Sequence, residues 1–218
     1  MKNKSANRRL EVLDLGMISY QEGMKFQEER ILLRQQEKTP DTLLLLEHLP
    51  VFTLGVSASE KDILWDNEEC RRKSVEVQKT TRGGKVTFHG PGQLVGYPII
   101  KLVGGGREVV KYVSMLEEVI IDALKEFGIE GRRDKRNRGV WIGNDKIAAI
   151  GVKIAGGISF HGFALNVRTD LSFYDGIVPC GIKDGGITSL HKIVPQISME
   201  EVKKTVVEKF RNVFGYDR

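Results

Sequence analysis

The chain has 218 residues, of which 40% are hydrophobic and 29% charged, with a formal net charge of +5. That length fits a single packed core, and the composition excludes disordered and fibrous classes. The longest apolar runs, such as Leu43 to Leu46, fall far short of a membrane span, and no apolar stretch follows the basic N-terminal residues, so no secretory signal is read and a cytoplasmic protein is expected.

Leu10 to Gly16 alternates apolar and polar residues and predicts a strand. Ser19 with Glu22 forms a capping-box signature, predicting a helix over 19–38 with Met24, Phe26, Ile31, Leu32 and Leu33 on its buried face. "TLLLLEH" and "VFTLG", punctuated by Pro50 and Gly55, predict two buried strands paired with each other. After Gly104 to Gly106, the spacing of Val110, Val113, Leu116, Ile120 and Leu124 predicts a helix that Gly128 ends. "GVWIGNDKIAAIGVKIAGGISFHGFALNV" predicts three strands in a meander, with turns at Gly143 to Asp145 and at Gly156 to Gly157. A second capping box, Ser198 with Glu201, opens a last helix with Val202, Val206, Phe210 and Phe214 on one face. The mixed order of strands and helices favours a single α+β domain over 1–218, built on one large mixed β-sheet flanked by helices.

The stretch "TTRGGKVTFHGPGQLVGYPI", Thr80 to Ile99, carries five glycines where a strand should bury its apolar side. Gly83, Gly84, Gly90, Gly92 and Gly96 allow positive φ angles and close approach of a ligand to the backbone, though a β-bulge with a tight turn accounts for the same residues. Neither phosphate-cradle motif is present. His89 and His161 each stand in an F-H-G tripeptide on separate strands, where a histidine is either a satisfied core residue or a substrate contact. Cys180, in "GIVPCGIKDGG", lies between Pro179 and Gly181 and has a setting compatible with a nucleophile. Cys70 lies in the charged stretch "NEECRRK" and reads as incidental; the two cysteines form neither a disulfide framework nor a metal knuckle. Lys146 stands at a hairpin turn beside the small residues Ala148 and Ala149. It is either a solvated turn lysine or, against a pocket, an acid/base group. "GRRDKRNRG", Gly131 to Gly139, reads as a solvated loop or a docking patch for an acidic partner, and no aromatic interleaving points to nucleic acid.

Together, "RGGKVTFHGPGQLVGYPI", "GNDKIAAIGVKI…SFHGFALNV" and "PCGI…GITSL", with "EHLPVFTLG" as a weaker fourth segment, resemble the lipoate-protein octanoyltransferases over about residues 40 to 190. The resemblance implies the fold of biotin and lipoate protein ligases. It implies transfer of an octanoyl group from octanoyl acyl carrier protein to the target lysine of lipoyl domains, those of 2-oxoacid dehydrogenase complexes and of the glycine cleavage H protein, with no ATP, cofactor, metal, nucleic acid or membrane. By matched motif, Cys180 would carry the acyl group as a thioester and Lys146 would be its acid/base partner. Arg82, Gly83, Gly84, His89 and Gly90 would line the acyl site, with His161 and Gly162 across from them and Ala148 and Gly151 also binding substrate. Ala155 to Gly157 and His191 to Ile193 depart from the family pattern and bear on acceptor contacts.

Three other readings use the same residues. An ATP-dependent ligase on the same fold would not need Cys180, and a cysteine thioesterase would let water replace the acceptor lysine. A nucleic-acid-binding protein would use the basic loop with steep salt dependence.

Overall fold

The computed structural model describes residues 8–102, 106–178 and 185–217. The apolar, β-branched runs become strands β1 (Leu10–Ile18), β2 (Asp41–His48), β3 (Val51–Leu54), β4 (Glu76–Lys79), β5 (Val86–His89), β6 (Gln93–Ile99), β7 (Arg132–Asp134), β8 (Asn137–Ile142), β9 (Asp145–Ala155) and β10 (Ile158–Asn166). The helices are α1 (Tyr20–Gln35), α2 (Asn67–Arg72), α3 (Gly106–Glu126), α4 (Leu190–Ile193) and α5 (Met199–Phe214). Among the described residues no helix is long and apolar enough to cross a membrane.

Seven strands form a mixed sheet in the order β1-β2-β6-β10-β9-β8-β7, parallel at β1–β2 and antiparallel at the other pairs. A three-stranded sheet, β4-β3-β5, stands beside it. The expected pairing of "TLLLLEH" with "VFTLG" is corrected here. Both edges of β2 are already taken by β1 and β6, so the chain turns at Leu49 and Pro50 and β3 seeds the smaller sheet, parallel to β4 and antiparallel to β5. The meander of β8, β9 and β10 forms as its turn signals predict.

Helices α3 and α5 cover one face of the large sheet, enclosing the main core of Leu43, Leu94, Leu116, Ile120, Phe163, Val206 and Phe210. The apolar face of α5 is Val202, Val206, Phe210 and Phe214, all buried, as its spacing predicts. On α3 the buried stripe is Tyr112, Leu116, Val119, Ile120, Ala123 and Leu124, while Val110 faces solvent.

Helix α1 lies on the opposite face, and its buried side is not the predicted one. Phe26 and Leu32 are exposed, whereas Tyr20, Gly23 and Gln27 are buried. The capping box at Ser19 and Glu22 does form, and it places Tyr20 at the first helical position. Gly23 admits the ring of His48, since a Cβ there would stand 2.8 Å from His48 Cε1. This side of α1 covers a polar site rather than an oily core, which is why apolar periodicity does not find it.

Candidate functional site

Between the large sheet, the small sheet and α1 lies a cavity of about 80 Å³, room for on the order of six water-sized groups. Ala149 and Gly151 of β9, paired with Ala164 and Gly162 of β10, line it from the large sheet. The smallness of these four residues leaves the space. A side chain at Gly162 would start 2.1 Å from the carbonyl oxygen of Gly96, so only glycine lets β10 approach β6 there. Ala148 points the other way, into the core under α3 and α5; the residue at the cavity is its neighbour Ala149.

Arg82, Gly83, Gly84 and His89 line the side given by the small sheet and its preceding loop. Arg82 is buried and its guanidinium donates to the carbonyl and hydroxyl oxygens of Thr53 at 2.6 and 2.8 Å and to the Gly83 carbonyl at 3.0 Å. The Gly83 amide donates to the Val152 carbonyl at 3.0 Å, fastening this loop to β9. Positive φ explains Gly84 and Gly92 alone of the five glycines in the stretch. Gly90 and Gly96 are instead required by packing, because a Cβ would enter the rings of Phe88 and Phe163. The structure does not place Gly90 at the cavity wall.

Three buried histidines cluster here: His89 and His161 line the cavity, and His48, outside the lining, packs against the His89 ring with centroids 5.8 Å apart. Nδ1 of His89 lies 2.7 Å from Gln93 Oε1. The amide nitrogen of Gln93 donates to Phe88 O and Asn166 Oδ1, so its oxygen must accept from His89, leaving the proton on Nδ1 and a lone pair on Nε2. His48 has the same tautomer: Nδ1 donates to the Ile18 carbonyl and Nε2 accepts from the Tyr97 hydroxyl at 2.8 Å. His161 sits at φ +55°, unusual for a non-glycine residue. Its amide donates to Oε1 of the buried Gln27 of α1 at 2.6 Å, and its Nε2 is buried without a partner. Burial pushes His48 down to about 4 and His161 down to about 3, the latter helped by the nearby cations of Arg82 and Lys153. Burial likewise holds His89 well below its ordinary value. All three rings are therefore neutral near pH 7, and the site offers imidazole acceptors rather than imidazolium charges.

Lys146 is the second residue of β9, is buried and lines the same cavity. A β-bulge between Val140 and Trp141 shifts the β8–β9 register beside it, and its Nζ lies 5.7 Å from the Trp141 ring centroid. Its backbone pairs in parallel with Ile187. Lys146 N donates to Gly186 O at 2.9 Å, Thr188 N donates to Lys146 O at 3.0 Å, and Gly186 N donates to Asp145 Oδ1 at 2.9 Å. Cys180 lies outside the described residues. Ile177 and Ile187, which stand on either side of it in the chain, both line the cavity. Cys70, by contrast, is packed with Phe52, Val75 and Phe88 in the small-sheet core, and burial pushes its thiol up, with Asp66 and Glu69 adding to the effect.

The basic stretch at Gly131 to Gly139 is the β7–β8 hairpin rather than a loop, and its arginines are engaged within the chain. Arg132 and Arg136 pair with Asp134, Arg133 pairs with Glu117 and Glu118, and Arg136 stacks on Trp141 at 4.4 Å. Tyr20, His48, Thr53, Gln93, Tyr97 and Gln27 escape the sequence reading as site residues. Of these, His48 and Thr53 stand in "EHLPVFTLG" and Gln93 and Tyr97 in "RGGKVTFHGPGQLVGYPI", so the segments were marked but not these positions, whereas Tyr20 and Gln27 lie outside every such segment.

Residues 19–211 match the family model of the lipoyl protein ligase A/B catalytic domain. An octanoyltransferase of Caldicellulosiruptor bescii is 48% identical, covering 94% of this chain and 92% of the relative. An octanoyltransferase of Rubrobacter xylanophilus is 49% identical, covering 92% and 91%. Among solved structures, a bi-partite lipoate protein ligase from Thermoplasma acidophilum superposes with a TM-score of 0.76 at 16% identity, over 96% of this chain and 84% of that one. The shared fold is thus that of the ligases.

Proposed function

The chain belongs to the lipoyl protein ligase A/B catalytic-domain family and is an octanoyltransferase of lipoate biosynthesis, and we propose that it works through an acyl-enzyme on Cys180 with Lys146 as acid/base. Octanoyl acyl carrier protein is the proposed donor, and the ε-amine of a lysine on a lipoyl domain is the proposed acceptor. A cytoplasmic location is part of this proposal.

In the first step Lys146 takes the Cys180 proton and the thiolate attacks the octanoyl carbonyl. The donor's C–S bond breaks, and the carrier thiolate leaves with the proton returned by Lys146. In the second step the acceptor amine attacks the Cys180 thioester, a C–N bond forms, and Cys180 regains its thiol as the amine proton departs through Lys146. Neither step consumes ATP. The small-residue wall of Ala149, Gly151, Gly162 and Ala164 accommodates the acyl chain, and the neutral histidines add no charge to the site.

One observation carries the reading: the residues bracketing Cys180, Ile177 and Ile187, line the same cavity as Lys146, with Ile187 paired directly to it. The test is transfer to an apo lipoyl domain from octanoyl acyl carrier protein in the absence of ATP and in the presence of EDTA. Full turnover is expected. A requirement for free octanoate with ATP would replace this reading by that of a ligase, and release of octanoate to water alone would replace it by that of a thioesterase.

A further inference from the structure

We infer that Glu117 of α3 is a positioning residue that aims Lys146 at the acyl-transfer site. It resides on the core-facing stripe of α3 between Leu116 and Val119 and is 1% exposed. A carboxylate there costs free energy unless its oxygens are well satisfied. Oε1 accepts the backbone amide of Gly139 at 3.0 Å, and Oε2 faces Arg133 Nε at 3.2 Å and Arg138 Nη1 at 3.6 Å.

Gly139 is where that anchoring reaches Lys146. Its φ is +131°, and a Cβ on it would stand 2.3 Å from the Ala148 carbonyl and 2.6 Å from Lys146 Cε. The alkyl chain of Lys146 therefore lies directly across the Gly139 α-carbon. The β-bulge between Val140 and Trp141 lies next to this crossing, and a bulge re-aims a side chain at the cost of ladder order. The rigid helix fixes the carboxylate, the carboxylate fixes the Gly139 amide, and the Gly139 backbone fixes the direction of the lysine. Nothing in this chain of contacts needs the negative charge of Glu117 to reach Lys146 Nζ. The position of one oxygen is what matters.

The inference rests on the acyl-enzyme reading, so the experiment separates the two. Glu117→Asp keeps a carboxylate beside Arg133 and Arg138 but withdraws the oxygen by about one carbon–carbon bond. Glu117→Gln keeps an acceptor oxygen in place and removes the charge. Single-turnover acylation by octanoyl acyl carrier protein is followed by mass spectrometry in wild type and both variants. Glu117→Asp should acylate about 10–100-fold more slowly, the scale of an ångström-sized misplacement, with the donor KM within about twofold of wild type; Glu117→Gln should stay within about threefold of the wild-type rate. The Lys146 ε-methylene resonance, from the carbon that carries the amine 5.7 Å from the Trp141 ring centroid, gives a readout that does not depend on turnover. It should move in Glu117→Asp and stay in Glu117→Gln.

A wild type that forms no acyl adduct overturns the acyl-enzyme reading. An acylating wild type beside an equally fast Glu117→Asp, with the Lys146 resonance unmoved, overturns the role of Glu117 alone. Glu117→Gln as slow as Glu117→Asp also overturns it, because charge and not position would then be the cause.

Discussion

Gln93 holds the imidazole of His89 in one tautomer: its Oε1 lies 2.7 Å from His89 Nδ1, while its amide nitrogen is spent on Phe88 O and Asn166 Oδ1. The last residue of β5 and the first of β6 are thereby locked across the turn that joins them. Long-range proton–nitrogen spectra near pH 7 should find His89 neutral with its proton on Nδ1. In Gln93→Leu the His89 Nδ1–H, the Phe88 carbonyl and Asn166 lose a partner, and unfolding free energy should fall on the order of 3 kcal/mol, since each buried orphan costs about 1–3. A proton found on Nε2, or a loss below about 0.5 kcal/mol in urea unfolding, would contradict this account of Gln93.

The buried histidines make folding stability depend on pH in one direction. The folded-state value for His48 lies at about 4 against 6.5 for the free side chain. Between those values the unfolded chain binds a proton that the native ring refuses, so stability rises with pH across that window. It is fully present above pH 6.5 and is lost as pH falls toward 4, with His161 extending the loss to about 3. The His48 contribution alone is about 3 kcal/mol at 1.36 kcal/mol per pH unit. The urea midpoint should fall from pH 7 to pH 4.5, and His48→Gln should flatten part of that fall. A midpoint independent of pH in this range would show that the rings titrate normally.

Chain length should be set by the small residues of β9 and β10. Ala149→Val adds two methyl groups to the cavity wall opposite Ala164. Acylation by an octanoyl donor should fall about 10–200-fold, the range for a misfit of about one carbon in an apolar pocket, whereas a butanoyl donor should be much less affected. Equal losses for both donors, measured as kcat/KM, would place the chain elsewhere.

The elements most legible in the sequence were those with a single apolar face. Val202, Val206, Phe210 and Phe214 repeat at helical spacing against one core, and the capping box before them closes as drawn. Helix α1 was legible in its start and not in its face. Tyr20, Gly23 and Gln27 are buried for their fit to His48, Thr80 and the His161 amide, and such fits leave no hydrophobic period. The glycines around His89 marked the region of the site, but for a mixture of reasons: some serve turns, and others make way for Phe88 and Phe163. Strand pairing is a nonlocal choice, which is why β2 and β3 read as partners until β1 and β6 are seen to occupy both edges of β2. Glu117 and Glu118 are adjacent carboxylates that no pattern separates; only the fold puts one under Gly139 and the other at the surface.

The central claim is that the octanoyl group rests on Cys180. Intact mass after mixing with octanoyl acyl carrier protein, without acceptor, tests it most directly in wild type, Cys180→Ser and Cys70→Ser. The account predicts one octanoyl adduct on wild type and on Cys70→Ser, whose buried thiol is replaced without touching the cavity, and no thioester on Cys180→Ser. An adduct that persists in Cys180→Ser and vanishes in Cys70→Ser, or no adduct on any of the three, would contradict it.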